Sequence, residues 1–391
     1  MEKVQQENSI IVKSRLDTES ARVLFPSSKR GIYFNHAAVS PLSTRVVSAI
    51  QSFLKERSEH DVENYFTTLM PTLAALRARL SRMLKAGERN LAFVPNTSYG
   101  LNLLAQGIAW KSGERILLYE REFPSNIQPF LALRKQGVKI DFLKDHDGEI
   151  QIDEIEKAIT PDTRLVSLSY VQFLSGFRFN LDELSEVCWR NACLLSIDAI
   201  QGLGAMPIDC TKVDFMAAGA HKWGMSPMGT GVAYFSDELL MRLNPVFVGW
   251  LSVEEAWDFS HHDKPLKSDA SRYELGTYNW MGLVGMNAAF ELFEEIGFDA
   301  VSEKILSLSE YFSNSLAHSG FELLCSPSRP NRSGIVSIKT LKNAESIFKQ
   351  LAARQIEISL RENYLRFSPH FYNTQSECDE VISQLKQLSN Q

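Results

Sequence analysis

Apolar positions recur at helical spacing in two stretches near the start of the chain, Val46, Ile50, Phe53 and Leu54, then Leu69, Leu73, Leu76, Leu80 and Leu84. A period near 3.6 puts each set on one face, so both stretches are predicted amphipathic helices. The pattern then changes to short apolar runs at Leu91–Val94, Ile116–Tyr119, Leu165–Tyr170, Leu194–Asp198, Phe215–Ala218 and Gly231–Phe235, with helical stretches between several of them. Strands that are apolar along their whole length are covered on both faces. This β/α alternation therefore predicts a mostly parallel sheet between helices, with ligands at the carboxyl ends of its strands. From Val284 onward the pattern predicts two long helices, at about 284–296 and 299–319, short strands at Gly334–Lys339 and Glu357–Leu360, and a last helix after Thr374. The expected organisation is an amino-terminal segment at residues 1–30, a large domain at 31–280 and a small α+β domain at 281–391.

Composition narrows the class. The chain has 391 residues, 44% hydrophobic and 23% charged, which is ample for a packed core and excludes disorder. No apolar run approaches the roughly 18 residues needed to cross a bilayer, so no membrane association is expected. The polar start, Met-Glu-Lys-Val-Gln-Gln-Glu-Asn, lacks the apolar stretch of a secretory signal, and the expected location is the cytoplasm. Forty-one basic and 47 acidic residues are interspersed, for a net charge of −6, which argues against nucleic acid as a partner. The five cysteines are scattered without CxxC spacing and read as reduced thiols, mostly in the core. His261-His262-Asp263 lacks a third ligand at suitable spacing, so no metal site is expected there. Nucleotide-binding glycine motifs are also missing after the predicted strands.

The densest chemical signal is Ser196-Ile-Asp198-Ala-Ile-Gln201-Gly, with Ala218-Gly-Ala-His221-Lys222-Trp placing its lysine 24 positions after Asp198. An acid closes one predicted strand and a lysine follows the next. At neighbouring strand ends, a carboxylate can hold a pyridinium nitrogen and an amine can form a Schiff base. Those are the two contacts that a pyridoxal 5'-phosphate cofactor needs. Asn96-Thr97-Ser98 follows a strand and opens a helical run, which suits a phosphate cradle, although the same residue types also make an ordinary helix cap.

Seven motifs carry a family resemblance: Tyr33-Phe-Asn-His-Ala-Ala, Asn96-Thr-Ser, Glu122-Phe-Pro-Ser-Asn, Ser196-Ile-Asp-Ala-Ile-Gln-Gly, Ala220-His-Lys, Arg272-Tyr-Glu-Leu-Gly-Thr-Tyr-Asn and Leu365-Arg-Phe-Ser-Pro-His-Phe-Tyr-Asn-Thr. On these the sequence resembles the class V aminotransferase and cysteine desulfurase family of fold-type I pyridoxal phosphate enzymes, from Phe34 to Leu385. The resemblance implies an α/β fold whose large domain holds a mostly parallel seven-stranded sheet. It implies an amino-acid substrate and a homodimer with shared sites. Lys222 matches the Schiff-base lysine that also moves the Cα proton, and Asp198 the partner of the pyridine nitrogen. Gln201 matches a donor toward the ring hydroxyl, Phe123 the aromatic shelf against the ring, and Asn96, Thr97, Ser98 and His221 the phosphate side. Thr277 matches a residue that reaches the partner subunit's phosphate. Arg366 matches the carboxylate clamp, with Arg361 as a second arginine near it and Asn35 lining the substrate side. One departure is visible, because Gly219-Ala-His221-Lys222 stands where relatives often place Ser-Gly-His-Lys or Ser-Ala-His-Lys, which removes one phosphate hydroxyl.

The reaction itself stays open at this level. Desulfurases of the family use a cysteine on the loop before the clamp arginine, whereas Arg361-Glu-Asn-Tyr-Leu-Arg366 is short and has none. Phe123 also replaces their histidine. Transamination, epimerisation and C–S or C–Se β-elimination all begin with Cα deprotonation by Lys222, and they remain as alternatives. A cofactor-binding regulatory domain is disfavoured, since about 30 residues precede the Tyr33 motif and both Lys222 and Arg366 are in place. Side-chain specificity is expected from the loops Glu59–Phe66 and Gly249–Ser260, where Trp250 and Trp257 either wall a pocket or pack a seam.

Overall fold

In the computed structural model, residues 16–60, 65–339 and 344–389 are described; residues 1–15 of the amino-terminal segment and 61–64 of the loop Glu59–Phe66 lie outside them. The described chain enters through a short strand, β1 (Ile32–Tyr33), and two helices, α1 (Thr44–Glu59) and α2 (Met70–Leu84). Ser43 caps α1 by accepting from Val46 N. The leucines at helical spacing in α2, namely Leu73, Leu76, Leu80 and Leu84, are all buried, as their period requires.

Seven strands follow: β2 (Leu91–Val94), β3 (Arg115–Tyr119), β4 (Lys139–Leu143), β5 (Thr163–Ser169), β6 (Leu194–Asp198), β7 (Phe215–Gly219) and β8 (Gly231–Phe235). They form one sheet in the order β2-β8-β7-β6-β5-β3-β4. Neighbours from β7 to β4 run parallel, and β8 is antiparallel to both β7 and β2. Between these strands come α3 (Thr97–Gly107), α4 (Gln128–Leu131), α5 (Ile152–Ala158) and α6 (Leu181–Arg190), with α7 (Asp237–Arg242) after β8. Two apolar cores, one on each face, cover the sheet. The sequence pattern missed β4. Lys139-Ile-Asp-Phe-Leu143 is a half-exposed edge strand that buries only Leu143, so it lacks the apolar run that marks the central strands.

Two longer helices come next, α8 (Trp280–Ile296) and α9 (Phe298–His318). They lead to a four-stranded antiparallel sheet in the order β12-β13-β10-β9, built from β9 (Glu322–Leu323), β10 (Val336–Lys339), β12 (Ser359–Arg361) and β13 (Tyr364–Phe367). Strand β11 (Ile356–Glu357) pairs in parallel with β1, and α10 (Ala344–Ala353) and α11 (Gln375–Ser389) complete the chain. The boundary expected at 281 does not coincide with the boundary between cores. Helix α8 packs on α1 and α2 and shares the large-sheet core. The changeover falls inside α9, between Leu306 and Leu308. The reason is that α8 is apolar nearly all round and is buried by the amino-terminal helices before the small sheet begins.

Candidate active site

Strand β6 ends on Asp198, which is 1% exposed. Its Oδ1 accepts from Ile200 N at 2.9 Å, while its Oδ2 is buried and has no partner. Burial pushes this carboxyl up to about 6, against the Ile200 bond and the charge of Lys222, which both lower it. A buried acceptor without a donor is costly and marks a place for a ligand N–H. Lys222 follows β7, the next strand of the sheet, and its side chain is half-buried. Burial lowers the Lys222 amine to about 8; Asp198 opposes this, and Arg366 and Arg361 add to it. Phe123 presents its ring 5.4 Å from Lys222 Nζ and remains partly exposed, as a shelf toward a ligand would be.

The amino terminus of α3 is fixed from three sides. Asn96 Oδ1 accepts from Tyr99 N at 2.8 Å, Thr97 Oγ1 accepts from Gly219 N at 2.9 Å, and Ser98 Oγ donates to Ser125 Oγ at 2.8 Å. Helix α3 itself lies flat against β7, because Gly100 has no Cβ to meet that of Ala217. The positive end of the helix is thus anchored to the strand that precedes Lys222. His221 is half-buried beside Lys222, and burial followed by the Lys222 charge lowers its pKa, which favours the neutral imidazole.

The opposite wall comes from the carboxyl-terminal sheet. Arg366 on β13 is 1% exposed and has no acidic partner among the described residues. Its Nη1 donates to Phe173 O at 2.7 Å, its Nη2 lies 3.3 Å from Ser359 Oγ, and its Nε is buried without a partner. Burial, then the nearby Arg361 charge, pushes the guanidinium below its usual range. An unpaired buried guanidinium is a strong demand for an anion, and its planar fork matches a carboxylate. Asn35 stands behind it, with its Oδ1 taking the Ser359 hydroxyl. Arg361 is exposed at the end of β12.

Two residues named from sequence sit differently from the cluster. Gln201 is buried, and its amide already bridges Ala37 O at 3.0 Å and Trp223 Nε1 at 2.8 Å, leaving one Nε2 proton for a ligand. Thr277 is exposed and lines a separate cavity of about 310 Å³ with Tyr99 and Gly229; no hydrogen bond joins it to Lys222 or Asp198 among the described residues.

Glu122, within the Glu122-Phe-Pro-Ser-Asn motif, is a further site residue that its sequence context leaves without a role. Its buried carboxylate accepts from Ser169 N at 2.6 Å, from Ser169 Oγ and from Gln172 Nε2 at 3.2 Å, and burial pushes it up to about 7. It pins the loop carrying Phe123 to the end of β5. A carboxylate just before the aromatic shelf was the available signal. Phe173, whose ring meets Phe123 at 5.6 Å and whose carbonyl holds Arg366, gave none.

The residues fit the implied cofactor: an unpartnered buried carboxylate oxygen, a lysine of lowered pKa, an aromatic shelf and an anchored helix amino terminus converge at the carboxyl ends of β6 and β7. The family described as aminotransferase class-V matches residues 32–381. A "Probable cysteine desulfurase" of Methanothermobacter thermautotrophicus is 26% identical over 299 residues, 75% of this chain and 74% of the relative. An "Uncharacterized aminotransferase YcbU" of Bacillus subtilis is 24% identical over 369 residues, 94% of this chain and 97% of the relative. Among solved structures, the apo cysteine desulfurase of Thermococcus onnurineus NA1 superposes with a TM-score of 0.88 at 24% identity, covering 96% of this chain and 99% of that one. The cystine C-S lyase C-DES in complex with cysteine persulfide gives 0.85 at 24% identity, covering 92% and 98%. These likenesses show the fold-type I architecture. The chain belongs to the class V aminotransferase family of pyridoxal phosphate-dependent enzymes.

Proposed function

We propose that the protein binds an α-amino acid against pyridoxal 5'-phosphate and moves the proton at its Cα. The observation that carries this reading is that Asp198 Oδ2 and Arg366 Nε are both buried and unpartnered, and that both side chains act electrostatically on one amine, Lys222, which burial lowers to about 8. When bound, the cofactor supplies an electron sink for the Cα carbanion. Asp198 holds the ring nitrogen protonated, since an ionised carboxylate favours the charged ring. Phe123 fixes the ring plane, and the α3 terminus with His221 receives the phosphate. Arg366 takes the α-carboxylate, which aims the Cα proton at Lys222. With its pKa lowered to about 8 by burial and by two neighbouring arginines, Lys222 accepts that proton through its free-amine form, whose share grows as pH rises through about 8.

Transamination is the first reading. β-Elimination from a sulfur amino acid is the second, and a specific observation favours it over persulfide relay. Strands β12 and β13 are joined by a two-residue turn, Glu362-Asn363, with Glu362 at φ 52°, so no mobile cysteine loop stands before Arg366. Cys188, Cys193, Cys210 and Cys378 are buried, and Cys325 donates to Glu149. A sulfur leaving group would therefore depart without a cysteine nucleophile, as in a C–S lyase. We further propose a homodimer. In it a second copy covers the exposed apolar residues Val246, Phe247, Val248 and Trp250, and Thr277 reaches that copy's site.

The test is a spectral titration of the holoenzyme with single amino acids, with oxo-acid, ammonia and sulfide assays on the same samples and Lys222→Ala as control. A pyridoxamine-type spectrum reversed by an oxo acid establishes transamination; pyruvate with sulfide or ammonia and an unchanged cofactor establishes elimination. Full activity in the Lys222→Ala protein refutes the assignment.

A further inference from the structure

Two guanidinium groups share the substrate end of the site, and an α-carboxylate needs only one. In the antiparallel pairing of β12 with β13, Ser359 stands opposite Arg366 and Arg361 opposite Tyr364. Residues two apart on a strand share a face, so Arg361 projects on the side that carries Ser359, whose hydroxyl is 3.3 Å from Arg366 Nη2. Arg366 is thus the buried inner member, and Arg361 the exposed outer member, of a two-arginine row.

The charge of Arg361 is left over. Its Nη1 donates to Leu360 O at 3.1 Å, and no carboxylate pairs with it among the described residues. The adjacent acid, Glu362, turns instead to Arg121 Nη2 at 3.2 Å, which is also 3.5 Å from Asp145 through its Nη1. Of the neighbouring acids, Asp198 is paired electrostatically with Lys222, and Glu122 is spent on Ser169 and Gln172. Once Arg366 takes the α-carboxylate, Arg361 is still an unneutralised cation within electrostatic reach of Lys222 and Arg366. Opposite charge on the ligand is the arrangement that satisfies it, and like or neutral ligands leave it unpaired.

We propose that Arg361 selects amino acids carrying a second anionic group beyond Cα, a carboxylate or sulfinate, so that the substrates belong to the acidic amino-acid class and the matching dianionic oxo acids. This deepens the reading given above and rests on it.

The holoenzyme is titrated with L-aspartate and L-asparagine, and with L-glutamate and L-glutamine, following the visible spectrum of the bound cofactor, which reads binding directly. Each pair is nearly isosteric and differs by one charge. The acid of at least one pair binds about 10- to 100-fold more tightly than its amide, and the preference shrinks as salt is raised. Arg361→Gln brings the amide-to-acid Kd ratio close to 1, and Arg361→Lys retains part of it. Equal binding of acid and amide by the native protein overturns the proposal. So does an Arg361→Gln protein that loses affinity for both by the same factor, since that outcome assigns Arg361 to the α-carboxylate together with Arg366. A spectrum unmoved by all four compounds overturns the amino-acid reading, and the proposal with it.

Discussion

In the function proposed above, Lys222 serves both as a nucleophile toward the cofactor and as a base toward substrate, and both roles need the free amine. An ordinary lysine near pKa 10.4 supplies almost none at neutral pH. Here burial lowers it to about 8, Asp198 opposes that shift, and Arg366 and Arg361 reinforce it. The sign of the consequence follows from the charges. Capture of pyridoxal phosphate by the stripped protein should quicken as pH rises through about 8 and then level off. Arg366→Gln removes a like charge, so the amine keeps its proton longer and the midpoint moves upward. Stopped-flow absorbance between about pH 6 and 10 reads both; a native midpoint close to that of a free lysine would sink the idea. At this scale, the legible residues were those whose chemistry is announced by a strand end. Asp198 and Lys222 could be paired from sequence because β6 and β7 are mainly apolar and each motif lies at a carboxyl end. The isolation of Arg366 was not legible. Whether an arginine has an acid beside it is decided by tertiary packing, here by Phe173 from a loop 193 positions away.

The elements matter through how closely they approach. Helix α3 brings its amino terminus to the site only because Gly100 lets it lie on β7; a Cβ there would stand 2.7 Å from Ala217 Cβ. Gly100→Ala therefore has to lift the helix or bend the strand. Overpacking of this kind costs about 1–3 kcal/mol. It should also draw the Thr97 hydroxyl away from Gly219 N and raise the Kd for pyridoxal phosphate several-fold. Spectral titration of the stripped variant measures the second effect; an unchanged Kd with lowered stability would mean that the α3 terminus does not hold the phosphate. The helix periods and the whole-length apolar strands made most elements readable in advance. The edge strand β4 escaped because exposure lets it carry Lys139 and Asp141, and the extent of α8 escaped at its start because Asn279, not an apolar residue, caps it.

At the scale of the whole molecule, the site lies where the large-sheet core meets the carboxyl-terminal segment, and Trp223 closes that seam. It is fully buried directly after Lys222. Its Nε1 donates to Gln201 Oε1 at 2.8 Å, and Gln201 in turn holds Ala37 O at 3.0 Å, tying in the amino-terminal segment. Its carbonyl accepts from His370 Nε2 at 3.0 Å. Its ring leaves so little room that a Cβ on Gly334 would come within 2.4 Å of Cη2. Gly334→Ala, although remote from any reacting atom, must displace the indole and, with it, the neighbouring Lys222. Trp223→Phe makes room but leaves Gln201 Oε1 buried without a donor, at about 1–3 kcal/mol. Each single change should lower stability to denaturant and weaken cofactor binding. Because the smaller ring relieves the clash that the methyl creates, the double variant should be less impaired than the sum of the two. The expected coupling is about 0.5–3 kcal/mol in the favourable sense. Denaturant unfolding of the four proteins closes the cycle, and strict additivity would show that Gly334 and Trp223 do not act on one another, leaving Lys222 to be positioned by its own strand alone.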